Sequence, residues 1–297
     1  MNRREFLQST AAVTAATASG AMLVASGEIA RGVSPVELQD PRPLIDTNIT
    51  LSRWPFRRLP LDDTPALVSK LRHYGVTRAW AGTFDALLQK DVGSANSRLA
   101  EECRRHGHGL LLPFGAVNPT LPDWEDEIRR CQEVHRMPGI RLHPNYHGYK
   151  LDDPRFARLL DLAAERGLIV QLAVLMEDER TKHPLVRVPH VDVTPLLSLL
   201  KSRPGLRVVL LNWSRGIFGS KLPGLAAAGQ VFFEISAVEG VNGVANLLRQ
   251  LPLDRILFGS DAPFLYFESA WLKLKESELS AASLRAICAG NSHRLVS

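Results

Sequence analysis

Eight short apolar runs, at 44–50, 76–82, 110–117, 140–143, 168–174, 206–211, 231–235 and 256–258, constrain this chain's fold more than any other feature. Each is bounded by turn residues, and segments of helical period lie between them at 64–74, 96–106, 124–135, 154–166, 193–202 and 241–251. Strand-length runs alternating with longer helical segments imply parallel strands joined by crossover helices. Thr64-Pro65 reads as the cap and first turn of the first helix, and Gly167 as the C-cap of 154–166. The count of eight favours an α/β fold closed into a single-domain (β/α)8 barrel. An open doubly wound sheet is disfavoured, because no glycine-rich dinucleotide turn follows the first run.

A barrel of this kind takes roughly 250 residues, and the chain has 297, of which 45% are hydrophobic and 23% charged. The net charge of +5 comes from scattered basic residues, with no zinc-finger spacing, aromatic RNA-binding box or long basic run, so nucleic acid is not an expected partner. The three cysteines, Cys103, Cys131 and Cys288, stand far apart and form neither a disulfide framework nor a thiolate metal site. Arg3-Arg4-Glu5-Phe6-Leu7, followed by a charge-free run rich in Ala and Thr up to Ala25, resembles a twin-arginine export signal. The expected organisation is a signal at 1–27, a linker at 28–43 and the barrel at 44–297. The protein is expected to leave the bacterial cytoplasm through the twin-arginine machinery and to act in the periplasm. No later stretch approaches a membrane span, so stable membrane association is not expected, and homo-oligomerisation is left open.

In an eight-stranded barrel the chemistry sits at the carboxyl ends of the strands. The polar residues there are Asn48, Thr50, Thr83, Asn118, Arg141, His143, Gln171, Asn212, Glu234 and Asp261, groups that are unfavourable to bury without partners. Asp261, delivered by the last run in Phe258-Gly259-Ser260-Asp261-Ala262-Pro263, is the expected general base, held ionised by neighbouring positive charge or hydrogen bonds. His143 is the expected partner acid or electrophile. Asn48, Thr50, Arg53, Arg141, Asn145, Gln171 and Asn212 are expected to bind a small-molecule substrate. Arg53, with Trp54, Phe56, Arg57 and Arg58 beside it, suits an anion through forked hydrogen bonds and stacking, unless the aromatic rings simply anchor the loop. The loop at 176–192, rich in charge and histidine, is an expected lid or site wall.

These motifs carry a resemblance. Leu44-Ile45-Asp46, Gly139-Ile140-Arg141-Leu142-His143-Pro144, Arg255 through Pro263, and Ala289-Gly290-Asn291 with Arg294-Leu295 are similar to the amidohydrolase-related family of barrel hydrolases, decarboxylases and lactonases. Metal-binding members carry His-x-His at the end of the first strand, where this chain has Asn48-Ile49-Thr50, and histidines after strands five and six, where it has Gln171 and Asn212. Of the implied ligand set only Asp261 is present. The resemblance therefore implies a hydrolase for a small anionic, lactone or ester substrate with the usual metal centre degraded. No cofactor is expected, and no metal-ligand set is assigned. The alternatives are a ligand-binding barrel without turnover, or a metal-dependent hydrolase or decarboxylase holding zinc or manganese on a site rebuilt from His143, His147, His183 and His190.

Overall fold

All eight runs form parallel strands whose order in the chain is their order around the sheet. The computed structural model describes residues 43–217 and 219–297; the expected signal, and the linker up to residue 42, lie outside them. The strands are β1 (Leu44–Leu51), β2 (Val76–Thr83), β3 (Leu111–Pro113) with β4 (Gly115–Ala116), β5 (Gly139–Leu142), β6 (Ile169–Ala173), β7 (Arg207–Leu211), β8 (Gln230–Glu234) and β9 (Ile256–Leu257). The third barrel strand is in two pieces because Pro113 has no N–H to donate; the Phe114 N–H to Ala81 carbonyl bond of 2.9 Å carries the strand past the break. The last strand returns to the first: Thr47 N–H bonds the Phe258 carbonyl at 3.0 Å and Asp261 N–H the Asn48 carbonyl at 2.8 Å. With that pairing the sheet has no free edge.

The helices are α1 (Thr64–His73), α2 (Val92–Gly107), α3 (Trp124–Glu133), α4 (Pro144–His147), α5 (Pro154–Glu165), α6 (Leu196–Leu199), α7 (Lys221–Ala228), α8 (Gly243–Leu247), α9 (Phe267–Glu276), α10 (Ala281–Arg285) and α11 (Asn291–Val296). The cap of α1 is Asp63, not Thr64: its carboxylate accepts the Ala66 N–H at 3.2 Å. The expected helices at 193–202 and 241–251 shrink to the short α6 and α8. Conversely α7 and α9 were not expected, and α7 escapes sequence reading because Pro223 and Gly224 sit inside it. Among the described residues no helix is long and apolar enough to cross a membrane.

Strand alternation divides the core in two. Outward side chains such as Val170, Leu172, Val208 and Phe233 pack beneath the helices, while Ile45, Trp80, Phe114, Ile169, Val209, Phe232 and Leu257 pack together as a second, separate apolar cluster. Ala289 and Leu295 from the C-terminal segment join that cluster. The Asn291 side chain fixes the segment there by donating to the carbonyls of Leu253 (2.8 Å) and Ile256 (2.7 Å), so the Gly-Asn motif has a structural task.

Candidate active site at the barrel mouth

Above the apolar layer the same alternation brings polar groups inward. Arg141 on β5 is fully buried, and its guanidinium donates to Gln171 Oε1 on β6 (2.8 Å), to the Ile49 carbonyl (2.8 Å) and Thr50 Oγ1 (3.1 Å) on β1, and to the Trp80 carbonyl (3.2 Å) on β2. Gln171 passes its own amide to the Thr47 carbonyl at 2.7 Å. A side chain of this size needs space, and Gly82 provides it: a Cβ there would stand 2.7 Å from the guanidinium. Gly259 does the same for Glu234, whose carboxylate would lie 2.6 Å from an added Cβ.

Glu234 is the hub of a second network. Its carboxylate accepts the N–H groups of Asn212 and Ser236, both at 2.6 Å, and the Ser236 hydroxyl at 2.8 Å. The Asn212 side chain accepts from Asn48 Nδ2 at 3.0 Å and donates to the Leu175 carbonyl at 2.9 Å. Asp46 Oδ1 accepts from the N–H groups of Asn48 (3.1 Å) and Ser260 (3.0 Å). Asn212 and Asp261 both hold left-handed backbone conformations, φ 52° and 57°, which Asn and Asp tolerate best among side chains with a Cβ.

Three buried carboxyls, Asp46, Glu234 and Asp261, lie within electrostatic reach of the Arg141 guanidinium. Burial pushes Asp46 up to about 7, against the hydrogen bonds from Ser260 and Asn48. Burial raises Glu234 as well, opposed by its N–H and hydroxyl donors. Asp261 is raised well above the carboxylate range, first by burial and then by the Glu234 charge, with Asn212 and Arg141 pulling the other way. The expectation that positive charge keeps Asp261 ionised is therefore corrected: Arg141 is close enough to act on it, but desolvation wins. Arg141 is itself lowered to about 10 by burial and stays charged at neutral pH.

His143 is fully buried too, with neither ring nitrogen hydrogen-bonded among the described residues, and burial followed by the charges of His147 and Arg141 holds it well below the ordinary imidazole range. That direction favours the neutral imidazole at neutral pH. The mouth above is covered by an aromatic group in which Trp54 packs edge-on against Phe264 (4.9 Å), Phe56 (5.2 Å), Phe84 (5.3 Å) and Tyr146 (6.2 Å). Trp54 and Phe56 therefore anchor their loop.

Asp261 and Asn212 line a cavity of about 110 Å³ at this mouth, together with Arg57, Glu177, Asp178, Arg215, Met176 and Phe264 among others. Arg57 is paired with Glu177 at 2.9 Å and Arg215 with Asp178 at 2.6 Å. Arg53 is exposed on a different depression, beside Asp62 and Arg98, and Asn145 ties the 176–192 loop down through the Pro189 carbonyl at 3.0 Å. Neither Arg53 nor Asn145 lines the Asp261 cavity. Of the cavity's charged residues, Arg57 belongs to the basic, aromatic stretch after β1 that the sequence pointed to, and Glu177 and Asp178 lie in the loop expected as a site wall, whereas Arg215 was not singled out from sequence.

The metal implied by the resemblance can be tested against these donors. Asn48 and Asn212 bond each other, and Thr50 and Gln171 both accept from Arg141. Amides, a hydroxyl and one carboxylate are a poor set for zinc or manganese, and a guanidinium beside them repels a cation. The four histidines do not converge: His147 bonds the Ala86 carbonyl at 2.9 Å, His190 bonds Glu179 at 3.2 Å, and His183 accepts the Leu185 N–H. Among the described residues no three His, Cys, Asp or Glu side chains are grouped to share a metal ion. The residues present do not fit a divalent ion.

No curated protein matches the chain in sequence. Solved structures do match in fold. The 2,6-dihydroxybenzoate decarboxylase from Rhizobium is 16% identical, with a TM-score of 0.64 over 84% of this chain and 98% of its own. The dihydroxybenzoic acid decarboxylase from Polaromonas sp. JS666, which holds manganese and 2-nitroresorcinol, is 16% identical, with a TM-score of 0.65 over 85% and 96%. A probable 2-pyrone-4,6-dicarboxylic acid hydrolase from Acinetobacter baumannii, with citric acid bound, is 15% identical, with a TM-score of 0.60 over 85% and 98%. The amidohydrolase family model matches residues 51–297, and the chain belongs to the amidohydrolase family.

Proposed function

We propose that this protein is a periplasmic hydrolase of small carboxylate-bearing lactones or esters that works without a metal ion. The observation that carries the reading is the position of Asp261: it lines the mouth cavity between two arginine–carboxylate pairs, above a buried fixed cation, Arg141. The structural neighbours support an anionic substrate, since one is named for a dihydroxybenzoate and another for a pyrone dicarboxylic acid. In the proposed reaction Asp261, once ionised, accepts a proton from water while the water oxygen bonds the substrate carbonyl carbon. The bond from that carbon to the ring or alkoxy oxygen then breaks, and the leaving oxygen takes the proton back from Asp261. Arg141 stabilises the intervening oxyanion through its charge, because its hydrogen bonds are committed to Gln171, Ile49, Thr50 and Trp80.

The test is a panel of carboxylate-bearing lactones and esters, run beside hydroxybenzoates with CO2 release as a second readout. Ring opening is expected, reduced about 10²- to 10⁴-fold in Asp261→Asn with the melting transition kept. Only the ionised carboxylate accepts a proton, so the rate rises with pH through a midpoint above the ordinary carboxylate range and is lost as pH falls. CO2 release in place of ring opening would replace hydrolysis by decarboxylation, and binding without turnover would make this a ligand-binding barrel.

A further inference from the structure

The 110 Å³ cavity at Asp261 has a much larger neighbour. An open cavity of about 810 Å³ lies on the outer side of the loops after β6, β7 and β8, and shares Leu175, Asp178, Arg215 and Ala237 with the inner one. These four side chains stand between the two spaces. Two are apolar and small or buried, and the other two form the 2.6 Å Arg215–Asp178 pair. Arg215 also reaches Glu239, and Asp178 Oδ2, which it contacts, also accepts from Arg180 Nη2 at 2.6 Å, so Asp178 keeps a cationic partner when Arg215 leaves it. The wall of the outer cavity is apolar, formed by Trp213, Ile217, Leu222, Val238 and Leu247, while its rim carries charged groups.

We propose that the outer cavity is the second half of the substrate site, that it takes the apolar body of an elongated carboxylate, and that Arg215 is the specificity residue that binds the carboxylate at the boundary. This rests on the reading of Asp261 as the reacting end of the site. The inner cavity is too small for more than the reacting group, and the outer one adds apolar surface beneath its charged rim. An amphipathic acid matches that division: its anion exchanges with Asp178 and Glu239 for Arg215, and its chain lies on Trp213, Val238 and Leu247.

Calorimetric binding of straight-chain carboxylates, from acetate to decanoate, to Asp261→Asn protein tests this without any need for turnover. Affinity should rise with each methylene buried, up to about fourfold per step. Arg215→Met should remove the preference for a carboxylate over the alcohol of equal length, and Arg215→Lys should restore part of it. Asn246→Trp, at an exposed position on the rim, should abolish the gain from chain length while leaving acetate binding unchanged. Affinity independent of chain length, or carboxylate preference unchanged in a folded Arg215→Met, overturns the proposal. Turnover of short lactones combined with flat chain-length dependence would sink this inference and leave the hydrolase reading standing. Chain-length-dependent binding with no turnover of any lactone or ester would do the reverse.

Discussion

The lower and upper layers of the barrel interior are built from the same strands and held by different physics. Below, Ile45, Trp80, Phe114, Val209 and Leu257 interlock, and burial of apolar surface alone favours the arrangement. Two residues further along the same strands stand Gly82, Gln171, Gly259 and, on β5, Arg141, with Glu234 and Asp261 close by. Every polar group there has been taken out of water, so its stability depends on being hydrogen-bonded and charge-matched. The lower layer is expected to tolerate volume-conserving apolar exchanges, whereas the upper layer is a set of mutually dependent protonation states.

The largest expected effect of breaking this contrast is at Arg141. Arg141→Met removes four hydrogen bonds and leaves three buried carboxyls with no guanidinium, and should destabilise by about 3–5 kcal/mol in urea denaturation. Trp80→Ala below should lose a similar amount by creating a cavity, about 3–5 kcal/mol. The two losses differ in pH dependence: the Trp80 loss should be the same at about pH 5 and pH 8, while the Arg141 loss should grow with pH as the carboxyls ionise. Equal pH profiles would mean that the upper layer is merely packed.

Asp46 sharpens the comparison next. Its pKa is raised from the ordinary 3.8 to about 7, so its contribution to stability is fully present below pH 3.8 and is lost as pH rises through about 7. Asp46→Asn keeps an acceptor for the Asn48 and Ser260 N–H groups and does not ionise. It should flatten the stability profile across that window and, at about pH 8, remove a penalty of at most about 4 kcal/mol. Chemical denaturation at several pH values reads this directly, and an unchanged profile would place the protonation elsewhere in the cluster. The smallest expected effect is at Gly82→Ala, whose Cβ meets Arg141 at 2.7 Å and should cost about 1–3 kcal/mol in thermal unfolding, as overpacking does. A neutral outcome would show that the guanidinium is free to shift.

Much of the scaffold was legible in the chain. Strand runs were legible because a buried parallel strand must be apolar on both faces, and helices such as α5 because Asp153-Pro154 and Gly167 mark both ends locally. The mouth was legible only in part. Arg53 and Arg57 both follow β1 in a basic, aromatic stretch, and nothing local says that Arg57 turns to Glu177 while Arg53 faces Asp62. That choice is made by the packing of Trp54 among Phe84, Tyr146 and Phe264, which follow three other strands.

The sequence by itself determined an eight-stranded parallel barrel with one acid, Asp261, at the end of its last strand, because strand period and turn chemistry are local properties. Only the tertiary structure decided what that acid is. Its neighbours Glu234, Asn212 and Arg141 come from other strands, and the loss of water around all of them, rather than any residue next to it in the chain, raises its pKa.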